Sequence, residues 1–330
     1  MLLQEAVDAL RIAPDGVYVD ATFGRGGHSM LMLQSLGPRG RLIAFDQDPD
    51  AIAAAAQCIS DARFEVIHAP FSELKQQLAR RGIEQIDGLL ADLGVSSPQL
   101  DEASRGFSFR ADGPLDMRMD PTRGVPLSVW IAQASADDLR KVISDYGEER
   151  FAVPIADAIA TRCAAAHDGT APPLETTGAL AELVAETLRR CGARREPGQH
   201  PATRTFQALR IHINHEIEEL SALLQAAIEL VRESGRIAII SFHSLEDRAV
   251  KHFFRSRTEQ VSMARPRGVG RGQHALATLF SEQQGRGPSA PPRARLVARI
   301  RPTAAEVARN PRARSATLRV MERTAPGAAS

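Results

Sequence analysis

Asp20-Ala-Thr-Phe-Gly-Arg-Gly-Gly-His28 is the stretch that decides the fold of this chain. It follows an apolar run, Val17-Tyr-Val19, and precedes a helical pattern from Ser29 to Leu36. That order is strand, glycine-rich turn, helix. Glycines admit positive φ and let a ligand lie against the main chain. A turn that opens onto a helix N-terminus favours an anionic group. Alone, the pattern also fits an ordinary tight turn. The next strand, Arg41-Leu-Ile-Ala-Phe45, ends in Asp46, at the position that holds ribose hydroxyls in nucleotide-binding sheets. Together they predict an adenosine-type cofactor at the strand ends.

Working outward, Pro49 to Cys58 reads as a helix opened by Asp48. Phe64 to His68 reads as strand three, and Ser72 to Arg81 as a helix with Ser72 as N-cap. Ile86 to Ala91 reads as strand four, ending at Asp92. Repeated βα units predict a parallel sheet with right-handed crossovers. From Asp101 to His200 no strand pattern stands out. Val129 to Ala134, Ala136 to Tyr146, Glu149 to Ala166 and Thr176 to Arg190 read as helices. Alternation resumes with one long helix, Thr203 to Val231, then strand five, Gly235 to Ile240, and a helix, Leu245 to Arg257. Ala294 to Ile300 and Ala316 to Val320 read as a late antiparallel pair. Residues 262–292, rich in Gly, Pro and Arg, are expected to form a mobile loop. The expectation is a discontinuous α/β domain, residues 1–100 and 201–330, interrupted by a helical insertion, 101–200, for substrate recognition.

At 43% hydrophobic and 25% charged, the 330 residues suit a soluble globular protein. There is no apolar run long enough for a membrane span and no signal-peptide layout at the start. A cytoplasmic location is expected. Cys58, Cys163 and Cys191 are far apart, so neither a disulfide framework nor a zinc site is expected, and each reads as a small buried apolar residue. The net charge of +1 hides an asymmetry: from Arg255 onward stand fifteen arginines and four glutamates. A basic end on an acidic body points to a polyanionic partner such as nucleic acid.

Four segments converge at the strand ends: the glycine turn, Asp46, the Ala69-Pro-Phe71 turn and Asp92. Asp46 suits a ribose diol or, alternatively, a cap on the next helix. Phe71 suits an adenine face or the core. Asp92-Leu-Gly-Val-Ser-Ser-Pro-Gln99 leaves a buried strand where substrate should meet cofactor. An exocyclic amine is a poor nucleophile because its lone pair is delocalised into the ring. Acceptors on its protons localise and aim that pair. Asp92, Ser96 and Ser97 are the candidates for that positioning; a polar Ser-Pro loop is the alternative. Arg204 and Arg210 could meet phosphates. Asp116 and Asp120 flank Arg118, which favours a salt-bridged loop over a metal pair. Ser241-Phe-His-Ser-Leu-Glu-Asp-Arg248 follows strand five, but without a Gly-x-Ser-x-Gly elbow it does not read as a hydrolase.

At these residues the chain resembles the RsmH, or MraW, family of bacterial small-subunit ribosomal RNA cytosine-N4 methyltransferases. The resemblance runs nearly end to end. It rests on Asp20–Ser29, Asp92–Leu100, Arg105–Phe109, Gly113–Pro121, Tyr146–Phe151, His200–Gln207, Ser241–Arg248 and Asn310–Ser315. It implies a class I Rossmann-like methyltransferase fold, mostly parallel with a late antiparallel strand, interrupted by a helical insertion. It implies S-adenosylmethionine as cofactor and methylation of the N4 amine of one cytidine in the decoding centre of 16S rRNA, within the small ribosomal subunit. Carried over by position, cofactor contacts fall on Gly26, Gly27, His28, Asp46, Phe71, Asp92 and Gln99. His28 and Gln99 come from the resemblance alone. No metal is implied. Family members usually carry a short His-containing stretch ahead of the Leu-Leu; here the chain starts at Met1-Leu-Leu-Gln-Glu5. The competing readings are a DNA cytosine-N4 methyltransferase, a ribosome-assembly factor that binds the cofactor structurally, and a nicotinamide-dependent dehydrogenase.

Overall fold

Strand β1 (Val17–Asp20) is short and nearly all buried, and its neighbours cover it on both edges. In the computed structural model, which describes residues 1–194, 198, 200–258 and 293–325, it is an interior strand, third in the order of a seven-stranded sheet. Helix α1 (Leu3–Leu10) precedes it, and α2 (Gly27–Ser35) leads to β2 (Arg41–Asp46). Then follow α3 (Pro49–Cys58), β3 (Phe64–His68), α4 (Leu74–Ala79) and β4 (Ile86–Asp92). A run of helices comes next: α5 (Ser97–Asp101), α6 (Leu127–Gln133), α7 (Ala136–Gly147), α8 (Ala152–His167), α9 (Thr177–Arg190), α10 (Thr203–Ile213) and α11 (Glu216–Leu230). The sheet resumes with β5 (Val231–Ser241), followed by α12 (Ser244–Thr258), β6 (Arg293–Ile300), α13 (Ala304–Arg309) and β7 (Thr317–Thr324).

The strand order is β3-β2-β1-β4-β5-β7-β6. The first five strands are parallel, and β7 runs antiparallel to both β5 and β6. This is the Rossmann-like α/β sheet with a late antiparallel strand. Parallel strands are covered on both faces, so they read as continuous apolar runs. Leu89, Leu90 and Ala91 of β4 and Ile237 to Ile240 of β5 are fully buried.

The chain separates into two compact units. Among the described residues, the first holds 1–94, 217–258 and 293–325, with the whole sheet. The second holds 95–216. Its core joins Leu115 and Met117 to Leu139 and Ile143 of α7, Ile155 and Ile159 of α8, Val184 of α9 and Phe206 of α10. These positions recur at helical spacing, so each helix turns one apolar stripe inward. Among its described residues there is no strand, only an isolated bridge between Pro114 and Thr176.

Several expectations are corrected. The single helix over Thr203 to Val231 is two, broken at Asn214 and His215, where His215 takes φ +50°. The Asn214 side chain explains the break. Its amide donates to the Met117 carbonyl at 2.8 Å and its oxygen accepts the Met119 N–H at 2.7 Å. Ser72 is not the cap of α4. It lies in a 3₁₀ turn, and its N–H and hydroxyl both donate to Glu219, at 2.7 and 2.8 Å. Cys58 and Cys191 are exposed and Cys163 is half-buried, because the first two sit at the C-terminal ends of amphipathic helices. Helix α1 adds to the expected elements, and its Ala6, Val7 and Leu10 join a core cluster with Tyr18, Leu42 and Leu90 of the sheet. The 262–292 segment lies outside the described residues. No helix among the described residues is long and apolar enough to cross a membrane.

Candidate active site

The strand order reverses between β1 and β4, with β2 and β3 on one side and β5 on the other. Ligands of open α/β sheets bind outside the carboxyl ends of the strands at such a point. Three carboxylates stand there: Asp20 ends β1, Asp46 ends β2 and Asp92 ends β4. The central strand ends are tied together. The Ala21 N–H donates to the Leu90 carbonyl at 2.8 Å, and the Asp92 N–H to Thr22 Oγ1 at 2.6 Å.

The glycine turn is fixed by β2. The Gly24 N–H donates to Asp46 Oδ2 at 2.8 Å. Gly26 caps α2 at φ +76° with no side-chain cap bond, and a Cβ there would lie 2.7 Å from Phe23 Cζ. Conformation and space both require glycine. Gly27 begins α2, and His28 follows it, 6% exposed. Asp46 does not cap the next helix: its Oδ1 accepts the Asp48 N–H at 2.9 Å, while Asp48 itself caps α3 by accepting the Asp50 N–H at 3.0 Å. The Ala69 N–H donates to the Asp46 carbonyl at 3.0 Å, which sets the turn carrying half-buried Phe71 beside the end of β2.

Charge is concentrated here. Burial pushes Asp20 up to about 7, against bonds from the Ser29 hydroxyl at 2.7 Å and the Thr22 N–H at 3.1 Å. The charges of Asp92 and Asp46 add to that rise. Burial likewise pushes Asp46 and Asp92 up to about 6. The Met1 amino group, 3.3 Å from Asp92 Oδ2, opposes the rise at Asp92. Burial, and then that ammonium, hold His28 down to about 4, so its imidazole is neutral at pH 7. Its Nδ1 lies 3.9 Å from Asp92 Oδ2.

Two atoms of this set, His28 Nε2 and Asp92 Oδ1, are buried and have no hydrogen-bond partner among the described residues. A buried polar atom without a partner costs free energy. A ligand that offers polar groups at this place removes the cost, and positive charge on it relieves three crowded carboxylates. A neutral imidazole does not repel such a cation. These residues fit S-adenosylmethionine, which carries a sulfonium, an ammonium and a ribose diol.

Gly26, Gly27, His28, Asp46 and Asp92 thus stand together at the strand ends of the first unit, with Phe71 on the adjoining turn. Ser96, Ser97 and Gln99 belong to the second unit. Ser96 Oγ accepts the Gln99 N–H at 3.4 Å and Gln99 Oε1 accepts the Ser96 N–H at 2.8 Å, a closed capping box on α5. Gln99 is buried and Ser97 is exposed.

Asp20 and Thr22 were not singled out in the sequence, although an aspartate that closes an apolar strand is a usable signal. Arg210 is corrected as a phosphate ligand: both its Nε and an Nη donate to Glu216 at 2.7 Å. Arg118 pairs by a fork with Asp116, at 2.7 and 2.8 Å, while Asp120 pairs with Arg123 at 3.3 Å. In the Ser241–Arg248 word, the Glu246 carboxylate accepts the Phe242 N–H at 2.8 Å and Asp247 pairs with Arg319 at 2.8 and 3.0 Å. Those contacts anchor α12 to the sheet.

Residues 1–324 match the MraW methylase family. Proteins named ribosomal RNA small subunit methyltransferase H are similar over nearly the whole chain. That of Burkholderia vietnamiensis is 50% identical over 99% of this chain and 97% of its own. That of Burkholderia pseudomallei is 51% identical with the same coverage. Among solved structures, an rRNA methylase from Streptococcus thermophilus covers 98% of both chains at 12% identity, with a TM-score of 0.40.

Proposed function

Because the chain belongs to the MraW methylase family, we propose that it methylates RNA of the small ribosomal subunit, the substrate that its relatives' names give for them. The methyl donor is S-adenosylmethionine, which supplies an electrophilic methyl carbon on a sulfonium. The acceptor in this reading is the N4 amine of one cytidine in the decoding centre of 16S rRNA. The observation that carries the reading is the cluster at the switch point, where three carboxylates of raised pKa meet a neutral imidazole and a glycine turn.

Each residue has a role in it. Gly26 and Gly27 let the main chain approach the cofactor. Asp46 accepts from the ribose hydroxyls. Phe71 lies against the adenine. Asp92 and His28 take the polar end of the cofactor, and Gln99 is the remaining contact. Ser96, Ser97 and their neighbouring carbonyls, with Asp92, orient the substrate amine. The nitrogen lone pair forms the N–C bond as the S–C bond breaks, and the cationic amine then releases a proton to water. No thiolate is needed. Consistently, Cys58 ends α3, Cys163 lies within α8 and Cys191 follows α9, none of them at a strand end.

The test is transfer of labelled methyl from S-adenosylmethionine to small-subunit particles that lack the modification, with nucleoside mass analysis. N4-methylcytidine at a single site is expected. Methylation of cytosine carbon 5, or of DNA in preference to particles, would overturn the acceptor. Cofactor binding with no transfer would favour an assembly factor.

A further inference from the structure

The second unit contains a cleft of about 930 Å3 whose lining includes none of the strand-end residues described above. That volume is near the top of the roughly 300–1,000 Å3 range of small-ligand clefts. Its wall is built from three helix ends. The residues before and at the start of α8, Arg150 and Phe151, form one side. His200, Pro201 and Arg204, at the start of α10, form another. Arg189 and Arg194, at and beyond the end of α9, form the third.

Its chemistry is of two kinds. Arg150, Arg189 and Arg194 are exposed. The guanidinium groups of Arg189 and Arg194 make no ion pair or hydrogen bond among the described residues. Helices α8 and α10 both start without a side-chain cap, so their positive ends add to the attraction for an anion. The end of α9 brings the opposite partial charge, but Arg189 and Arg190 occupy its last turn. The second kind is aromatic. His200 is exposed yet held in place: its Nδ1 accepts the Ala202 N–H at 3.2 Å, and its ring lies 4.5 Å from that of Phe109. Phe109 is held in turn, edge-on, by Phe206 at 4.8 Å. The Arg150 guanidinium lies over Phe151, 5.8 Å from the ring centre.

Guanidinium groups that accept phosphates, beside a rigid ring that accepts a base, are the two requirements of single-stranded nucleic-acid binding. Glu182 and Glu186 also line the cleft. They disfavour a duplex, which is dense in phosphate, and they can accept from the exocyclic amines of unpaired bases. An acidic peptide would use the arginines but would have no use for the ring and would be repelled by the glutamates.

We propose that this cleft binds an unpaired segment of the RNA substrate, with phosphates on Arg189 and Arg194 and a base against His200. This rests on the reading that the substrate is ribosomal RNA. The cleft then acts as an anchor for a neighbouring stretch of the strand and takes no part in methyl transfer itself.

The experiment uses the full chain and a fluorescent, unstructured oligoribonucleotide, followed by anisotropy across a salt series. Three proteins are compared with the wild type: R189E/R194E, R189K/R194K and H200A. Each is also tested for S-adenosylmethionine binding, as a check on folding, and for methyl transfer to small-subunit particles. The charge reversal is expected to weaken oligonucleotide binding about tenfold or more and to reduce the salt slope by about 1.4, at about 0.7 for each lost phosphate contact. KM for particles should rise with kcat unchanged. The lysine pair should keep most of the affinity, and H200A should weaken binding without changing the salt slope. Oligonucleotide binding equal to wild type in both R189E/R194E and H200A would overturn the proposal. So would a loss confined to particles with naked RNA unaffected, which would assign the cleft to a ribosomal protein. If the wild type methylates particles and the cleft variants match it, only this inference fails. If the wild type methylates no particle, the proposed function fails and oligonucleotide binding still judges the cleft.

Discussion

Two strand-to-helix turns lie side by side in the strand order but begin their helices differently. After β1, helix α2 starts at Gly26 with no side-chain cap, and the buried atoms around it, His28 Nε2 and Asp92 Oδ1, have no hydrogen-bond partner among the described residues. After β4, helix α5 starts at Ser96 with a closed capping box, in which Ser96 and Gln99 satisfy each other. The first turn leaves buried polar atoms over; in the second the two capping side chains satisfy each other. Capping side chains consume the donors that a ligand would otherwise use. A polar, glycine-bearing word in a sequence does not distinguish the two cases. The bonds do.

The comparison can be broken most severely at the first turn. Asp46→Ala and Asp92→Ala are each expected to lower methyl transfer by about a hundredfold or more, a loss of about 3 kcal/mol of transition-state and cofactor stabilisation. Calorimetry with S-adenosylmethionine should place most of that loss in binding for Asp46→Ala. Unchanged affinity there would remove Asp46 from the site.

Asp20→Ala comes next. It strands the Thr22 N–H and the Ser29 hydroxyl, at roughly 1–3 kcal/mol for each buried group left unpaired. The loss should be visible in chemical denaturation without ligand. Part of it is returned, because a carboxylate raised to about 7 is itself costly to bury. A variant as stable as wild type at pH 5 would mean that the two bonds contribute nothing there.

A pH series gives a smaller, signed effect. Asp46 and Asp92 bind protons more tightly folded than unfolded, between an unfolded value near 4 and their folded value of about 6. The ligand-free protein should therefore lose stability as pH rises through that window. Cofactor affinity should move the other way. It should be level above pH 7 and fall as pH drops below about 6, by at most about tenfold per unit for each carboxylate protonated. Affinity that is flat from pH 5 to 8 would exclude both groups as ionised partners.

The mildest change is at the second turn. Ser96→Ala should cost about 0.5–2 kcal/mol of stability, the usual effect of losing an N-cap, and leave cofactor affinity nearly unchanged. Gln99→Ala sharpens the contrast. The proposed cofactor contact at Gln99 requires a fall in affinity well beyond its effect on stability; affinity as in wild type would leave Gln99 a cap alone.

What was legible in the sequence was local. The span of β3 from Phe64 to His68 and of α3 from Pro49 to Cys58, with Asp48 as its cap, follow from alternation, a helix-starting proline and a capping side chain. The glycine turn was legible because strand, turn and helix are contiguous. What escaped depends on distant partners. Ser72 looks like a cap until Glu219 takes both its donors. Arg210 looks like a phosphate ligand until the break after Ile213 swings Glu216 onto it. The break itself follows from Asn214 reaching Met117 and Met119, far away along the chain, while the apolar periodicity runs straight through. Asp20 carries a local signal, an aspartate closing an apolar strand, but its crowding with Asp46 and Asp92 exists only once β2 and β4 flank β1.

The parallel pairing of β4 with β5 also constrains how this protein reaches its native state. Ile86 pairs with Val231 and Gly88 with Arg236, and residues 95–216, the described part of the second unit, are synthesised between them. Three of the seven strands therefore cannot join the sheet until residues 95–216 have left the ribosome, and β7 must wait longer than β5, with which it pairs. Contacts of such long sequence separation are formed late and slowly. Until they form, the edge of β4 that β5 will cover is an open parallel template, the kind of edge that promotes misassociation. Collapse of the intervening helices onto their own core would shorten the flexible loop to be closed. The rate of sheet completion should then follow the stability of the helical unit, although that unit contributes no strand to the sheet.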